Sequence, residues 1–169
     1  MKKLFVLSLL IASFLLSCQN QTSTATDTEP TATETTGSDT PPTYDEALAT
    51  RLGADDYGMK VYIMAYLKRG PNRDRSPEEA AALQRAHMDN IGRLAEEGKL
   101  VLAGPYGDDG DIRGIYIFDV ATIEEARALT ETDPAIQAGS LEMELRQWYG
   151  TAALGLLNEW HPKIAKKEI

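Results

Sequence analysis

Strand and helix signals alternate along most of this chain in an order that few folds accommodate. Two capping boxes mark the helix starts, one formed by Ser76 and Glu79 and the other by Thr122 and Glu125. In such a box each side chain accepts a hydrogen bond from the other residue's backbone N–H. Gly98 is placed to end the first helix. We therefore expect two helices, the first about twenty residues long and the second shorter.

Four segments have the composition of β-strands. Residues 59–68 are rich in β-branched and aromatic side chains, and residues 100–105 form a second apolar run. A tight turn at 107–110 leads into a third strand at 111–120. Residues 141–148 alternate between apolar and polar side chains, which predicts a fourth. With the two helices, the predicted order is β-α-β-β-α-β.

This order is that of the ferredoxin-like, or split βαβ, plan, in which two helices cover one face of a four-stranded antiparallel sheet. The predicted class is therefore α+β. Residues 57–157 span roughly a hundred positions, which suits one small domain and not two.

The first predicted strand carries apolar side chains on both of its faces. Tyr62 and Met64 point to one side, and Ile63 and Ala65 to the other. The third strand repeats the pattern. Since an apolar face without helices needs a partner, we expect a homodimer with the sheets face to face. Cover by the N-terminal helix or by the C-terminal tail, residues 158–169, is the alternative.

The N-terminus has the layout of an export signal. Lys2 and Lys3 precede a nearly unbroken apolar run at residues 4–16, which is too short for a permanent membrane span. The run ends in Leu-Leu-Ser-Cys, which resembles the bacterial lipobox. We expect residues 1–17 to be removed and Cys18 to become the lipidated N-terminus. An ordinary signal peptide that leaves a free thiol is the alternative.

Cys18 is the single cysteine of the 169-residue chain, so no intramolecular disulfide is possible. The residue after it, Gln19, is not the aspartate associated with inner-membrane retention of lipoproteins. The expected location is the bacterial cell envelope, with the outer membrane as the address. The net charge of −9 gives no reason to expect binding to nucleic acid or to anionic lipid.

Between the lipobox and the domain lie two further segments. Residues 18–42 contain nine threonines and four acidic residues without large apolar side chains, which predicts a disordered tether or a glycosylated stalk. Residues 43–56 predict a short helix and linker, with Thr43 and Glu46 spaced as a capping box and Gly53 at its end.

Two histidines limit the search for acid–base chemistry. His161 lies in the C-terminal tail and is expected at the surface. His87 falls on the apolar stripe of the first long helix with Leu83, Ile91 and Leu94. A lone histidine at such a position is commonly a core residue with its hydrogen bonds satisfied. No His/Cys/Asp cluster has metal-ligand spacing, and no phosphate-binding glycine loop is present, so we expect neither metal nor cofactor.

Residues 59–150 also carry a series of small motifs in a particular order. In chain order they are His87, Gly98-Lys99-Leu100, Ala103-Gly104-Pro105, Asp133-Pro134, Gly139 and Trp148-Tyr149. This series resembles the YciI-related protein family. The resemblance implies the dimeric α/β-barrel form of the ferredoxin-like fold. It also implies an active-site histidine and aspartate, which match His87 and Asp133.

A carboxylate beside an imidazole raises its basicity and fixes its tautomer, so this pair would serve a small acid–base enzyme. Asp133 before proline is equally a good helix N-cap. Arg113, Tyr66 and Tyr106 are further candidates for holding an anionic or polar group of a small ligand. A non-catalytic binding module and a purely structural dimer are the alternative functions, and the sequence names no substrate.

Overall fold

The structure, a computed structural model, describes residues 43–167. The predicted signal peptide, the predicted tether and Cys18 lie outside the described residues. The elements in chain order are α1 Glu46–Leu52, β1 Met59–Arg69, α2 Pro77–Glu96, β2 Leu100–Pro105, β3 Ile112–Phe118, α3 Ile123–Thr130, α4 Pro134–Gln137, β4 Leu141–Thr151, a 3₁₀ turn Ala152–Leu156 and α5 Leu157–Ile164.

The four strands form one sheet in the order β2-β3-β1-β4, and every neighbouring pair is antiparallel. Helices α2 and α3 contribute Leu94 and Ala126 to the core on one face of this sheet, against Ile63 and Phe118. The predicted class, an α+β ferredoxin-like fold of the type found in dimeric α/β barrels, is confirmed. The dimer itself stays a prediction.

The caps of the two main helices form as the sequence predicts. Ser76 Oγ accepts from the Glu79 backbone N–H at 3.2 Å, and the Glu79 carboxylate accepts from the Ser76 N–H at 2.8 Å. Thr122 and Glu125 repeat this box. Gly98 follows α2 with a φ of +68°. Glycine adopts this left-handed conformation without steric cost, which suits the position after a helix.

The first helix begins differently from the prediction. The capping residue is Asp45, whose Oδ1 accepts from the Leu48 N–H at 2.9 Å, and the proposed box of Thr43 with Glu46 is wrong. Asp45 directly precedes the first helical residue, so its short carboxylate reaches an N–H of the first turn. Gly53 ends the helix as expected, with a φ of +66°.

The sheet face opposite the helices is divided into two ends. At one end Tyr62, Val101 and Ile117 are buried beneath the 3₁₀ turn, with Leu154 packed against them. Tyr62 Oη donates to the carbonyls of residues 151 and 152 at 3.2 Å each. Burial, together with the negative charge of Asp119, raises the pKa of Tyr62 to about 12. The 3₁₀ turn at residues 152–156 thus covers this end within one chain. The expected alternative to a dimer was cover by the N-terminal helix or by residues 158–169, and within residues 43–167 neither contributes to this cluster.

The other end of this face remains accessible. Met64, Tyr66 and Ile115 are only partly buried there, and charged side chains from β4 flank them. Among the helices of residues 43–167, none combines the length and the apolar character that crossing a membrane requires.

Candidate functional site

His87 occupies the inward stripe of α2, where Leu94 is fully packed into the core and Leu83 and Ile91 are partly buried. Only 8 % of its surface is exposed. The helix therefore holds the imidazole between the helix layer and the sheet, and its hydrogen bonds must be met by neighbouring side chains.

Asp133 meets one nitrogen of this imidazole. His87 Nδ1 lies 2.8 Å from Asp133 Oδ2 and 3.0 Å from Oδ1, and the aspartate is completely buried. A carboxylate only accepts, so Nδ1 carries the proton and donates it. These residues are 46 positions apart in the chain, and the fold joins them because α4 begins beside the middle of α2.

Asp133 is also the N-cap of α4. Its Oδ1 accepts from the backbone N–H of Ala135 at 2.8 Å. The capping role and the pairing with His87 therefore coexist, because the carboxylate has acceptor positions for both. The cap fixes the carboxylate, and the fixed carboxylate fixes the imidazole.

Tyr116 faces the second nitrogen. Its Oη is 3.3 Å from His87 Nε2, and the two rings are nearly parallel with centroids 6.3 Å apart. Burial raises the pKa of Tyr116, and the charge of Asp133 adds to the effect. The phenol therefore stays protonated and donates toward Nε2, which is the basic nitrogen of this tautomer.

A cavity of about 680 Å³ opens in front of this group. His87 and Tyr116 belong to its wall, while Asp133 stands behind His87. The apolar part of the wall comes from both layers, and its large side chains are Leu67, Leu83, Met88, Ile91 and Leu141. The volume lies within the range of small-molecule sites, about 300 to 1,000 Å³.

Two arginines that the sequence analysis did not single out also line the cavity. Arg73 and Arg75 lie on the loop between β1 and α2. Arg73 Nη1 donates to the Ser140 carbonyl at 3.2 Å, and Arg75 Nη2 to the Ala138 carbonyl at 2.6 Å. The loop is thus attached to the turn that follows α4, so the segment that positions Asp133 also positions these two side chains.

Glycines permit this close attachment. A Cβ at Gly70 would lie 2.3 Å from the carbonyl oxygen of Gly139, a distance that side-chain carbons do not tolerate. Gly139 itself has a φ of +64°, and a Cβ there would meet the Asn72 amide at 2.5 Å. Gly139 was among the motifs of the family resemblance, and its physical reason is this contact.

The three further ligand-binding candidates fall in different places. Arg113 lines the cavity, and its Nη1 is 2.8 Å from Asp109. Tyr106, 46 % exposed, is not among the lining residues. Tyr66 does not line the cavity either, because strand alternation turns it to the opposite sheet face, where the guanidinium of Arg146 lies 5.9 Å from its ring.

Metal binding finds no support in the part of the chain that the structure describes. Within residues 43–167, no three His, Cys, Asp or Glu side chains are grouped so that they would hold an ion. The chemistry of the cavity wall is that of an imidazole, a phenol and guanidinium groups.

Two individual proteins resemble this chain over part of its length. The uncharacterized protein YjpA of Bacillus subtilis (strain 168) is 31% identical over 62 residues, which are 37% of this chain and 71% of that protein. A solved structure, the 5-chloro-2-hydroxyhydroquinone dehydrochlorinase of Burkholderia phenoliruptrix AC1100 in complex with 2,5-dihydroxybenzoquinone, has 23% identity and a TM-score of 0.40. The match covers 52% of this chain and 92% of that one. At this score the likeness says nothing about activity.

The family comparison covers more of the chain. Residues 59–149 match the YCII-related domain family, and this span runs from the first residue of β1 almost to the end of β4. It includes His87, Asp133 and Tyr116, and it agrees with the resemblance drawn from the sequence motifs. The chain therefore belongs to the family of YCII-related domain proteins.

Proposed function

We propose that this protein is a small acid–base enzyme that moves a proton on an organic substrate, with His87 as the base and Asp133 as its partner. The observation that supports it most is the hydrogen-bonded chain from Asp133 through His87 to Tyr116 at the wall of a cavity of ligand size. A histidine that served packing alone would have no such cavity beside it.

The proposed step is a proton abstraction next to a carbonyl group. The C–H bond of the substrate breaks, its electron pair stays on the substrate as an enolate, and the proton goes to His87 Nε2. The negative charge of Asp133 stabilises the imidazolium that forms. As the substrate binds, the O–H of Tyr116 turns from His87 Nε2 to the enolate oxygen, which frees the Nε2 lone pair for the proton and leaves Tyr116 neutral. Return of the proton to another carbon gives an isomerisation, and loss of a leaving group gives an elimination.

Deuterium incorporation tests this proposal on a small set of carbonyl compounds. The protein is incubated in D₂O with phenylpyruvate, acetoacetate and their neutral methyl esters, and exchange at carbon is followed by NMR. Because these α-protons also exchange in D₂O alone, exchange is counted only as the rate in excess of a protein-free control, and we expect it in at least one compound. His87→Gln is expected to slow it at least about 100-fold, the usual contribution of a general base.

Two further variants test the charge of Asp133 and a histidine outside the site. Asp133→Asn retains the helix cap but removes the negative charge, and we expect it to slow exchange at least about tenfold. His161→Gln changes an exposed histidine of α5 and leaves the rate unchanged. The proposal fails if no compound exchanges or if His87→Gln exchanges as fast as the wild type. Binding that depends on His87 without exchange would identify a non-catalytic ligand-binding module instead.

We further propose that two copies pair through the accessible end of the open sheet face. Partly buried Met64, Tyr66 and Ile115 support this, since an apolar sheet face is stabilised by a second sheet. Three charged side chains flank this apolar group on the same face: Lys68, Glu144 and Arg146. In the dimer they would lie at the rim of the interface, where charged residues are common.

The location is also a proposal. We propose a lipid on Cys18 that holds the protein at the cell envelope, at the outer membrane, and its support is the sequence of the first eighteen residues. Two or more acyl chains anchor a protein stably, whereas one does not. Cys18→Ala is expected to move the protein from the membrane pellet to the soluble fraction. A variant that stays in the pellet would contradict the anchor.

A further inference from the structure

The cavity wall combines two chemically different kinds of polar group. His87 projects from the middle of α2, ten residues beyond its first residue, Pro77. Arg73 and Arg75 lie on the loop before that helix and belong to the same wall, attached to the carbonyls of residues 140 and 138. The rest of the wall is largely apolar and comes from α2 and the sheet.

The two arginines have no acidic partner in the cavity wall. Among the described residues that line the cavity, none is acidic. Within residues 43–167, no carboxylate lies within 4 Å of the guanidinium of Arg73 or Arg75, whose hydrogen bonds go to backbone carbonyls. Asp74 and Glu79 line an adjoining surface pocket with Arg75, and Glu79 is engaged with the Ser76 backbone as a cap.

Arg113 differs in this respect. Its guanidinium pairs with Asp109, which also pairs with Arg69, and hydrogen bonds from these two arginines lower the pKa of Asp109. Much of the positive charge of Arg113 is thereby offset. Two guanidinium groups without a carboxylate within 4 Å among residues 43–167, in a protein of net charge −9, are suited to bind an anionic ligand.

We infer that the ligand of this cavity is a small organic anion. Its carboxylate or phosphate group is bound by Arg73 and Arg75, its apolar body lies against Leu83 and Leu141, and its reactive carbon is directed toward His87. Guanidinium groups suit such oxyanions because they donate two parallel hydrogen bonds. The inference rests on the proposed acid–base function for the direction of the ligand, while anion binding itself does not require catalysis.

Binding of simple aromatic probes tests the inference. Benzoate, phenyl phosphate and neutral benzamide are titrated into the full chain, and affinity is measured by calorimetry. We expect one or both anions to bind at least about tenfold more tightly than benzamide, as a charged hydrogen bond allows. The anion that binds more tightly shows whether the site prefers a carboxylate or a phosphate group. Equal affinity for benzamide and both anions would overturn the inference.

Variants locate the site. Arg73→Gln is expected to lower anion affinity about tenfold, and Arg75→Lys, which keeps the charge but loses the planar fork, to lower it less. Arg85→Gln removes the same charge from the exposed side of α2, outside the cavity, and serves as the matched control. If Arg85→Gln weakens binding as much as Arg73→Gln, the anions respond to overall charge and the inference is wrong.

The two proposals fail separately. Tight benzoate binding with no deuterium exchange in any compound would remove the enzyme and keep the anion site. Exchange in the methyl esters but not in phenylpyruvate or acetoacetate would keep the enzyme and remove the anion site. Exchange confined to the two anions supports both.

Discussion

The two faces of the sheet hold charged groups in opposite ways. On the helix-covered face, His87 and Asp133 are buried and satisfy each other at 2.8 Å. On the open face, Glu144 pairs with Lys68 at 2.7 Å and with Arg146, and all three side chains are between one third and two thirds exposed. The carboxylate of the first pair is fully buried, whereas the side chains of the second are exposed enough for water to replace a missing partner.

This difference indicates that the buried pair of His87 and Asp133 costs the folded protein free energy, whereas the exposed network of Glu144 does not. Removing charged groups from water is unfavourable, and their mutual attraction does not reliably compensate. A surface network such as that of Glu144 carries little cost and contributes little. A buried pair that opens onto a cavity is therefore stronger evidence for function than the more extensive network on the open face.

The largest expected effect comes from breaking the buried pair. Asp133→Ala removes the acceptor of both His87 Nδ1–H and the Ala135 N–H, and because two buried donors are left unsatisfied we expect a loss of about 3 kcal/mol in the free energy of unfolding. Asp133→Asn keeps one acceptor oxygen, which can still cap α4, and is expected to lose less. The midpoint of urea unfolding measures both.

Glu144→Ala is the matched control on the open face, and its midpoint should change little. If Asp133→Ala shifts the midpoint no further than Glu144→Ala, the buried pair is not what distinguishes the two faces.

The second-largest effect is expected from a charge placed on the open face of the sheet, where the proposed dimer forms. Met64→Glu places a charge at the centre of the accessible end, and we expect it to raise the dissociation constant of the proposed dimer at least about tenfold. Native mass spectrometry across a micromolar dilution series measures this. Arg85→Glu on the exposed side of α2 is the control and leaves the dimer intact. A wild-type chain that is monomeric throughout would contradict the pairing of sheets.

The sequence predicts the helix-covered face of the sheet better than the open face. The strands, the two capping boxes and the inward stripe that includes His87 follow from local periodicity and from hydrogen bonds within one turn. Tyr66 was a candidate by residue type alone, and a residue type that suits ligand binding says nothing about which face of β1 it occupies. That depends on register, which is set by the whole sheet.

The arginine loop was missed for another reason. Arg73 and Arg75 lie in a polar segment without periodicity, and their direction is determined by carbonyls of residues 138 and 140, more than sixty positions later. The proximity of His87 and Asp133 is equally non-local, and it was anticipated through family resemblance and not through spacing. The glycines at 70 and 139 were the available signal, since two backbones that touch need them.

Alkaline pH should affect the covered end of the open face. The pKa of Tyr62 is about 12 in the folded protein, above its ordinary value of 10. The unfolded chain therefore releases this proton first, and stability falls as the pH rises from about 10 through 12. Tyr62→Phe should make the fall in urea midpoint shallower. The raised pKa of Tyr116 acts in the same direction, so a slope remains. An unchanged slope would show that the 3₁₀ turn does not shield Tyr62.

The smallest effect is expected from acid acting on the exposed network. Hydrogen bonds from Lys68 and then from Arg146 lower the pKa of Glu144 to about 2, from an ordinary value of 4.5. Its contribution is therefore present above pH 4.5 and is lost as the pH falls through 2. Because these charges are exposed, salt screens them, and the difference between wild type and Glu144→Gln should shrink at high ionic strength.

The same salt titration applied to Asp133→Asn completes the comparison. Buried pairs are screened much less than exposed ones, so its effect on the urea midpoint should stay constant while that of Glu144→Gln declines. If the effect of Asp133→Asn on the urea midpoint depended on salt concentration, water and ions would reach the His87–Asp133 pair from the cavity. In that case the imidazole would not have the sheltered environment on which its proposed role as a base depends.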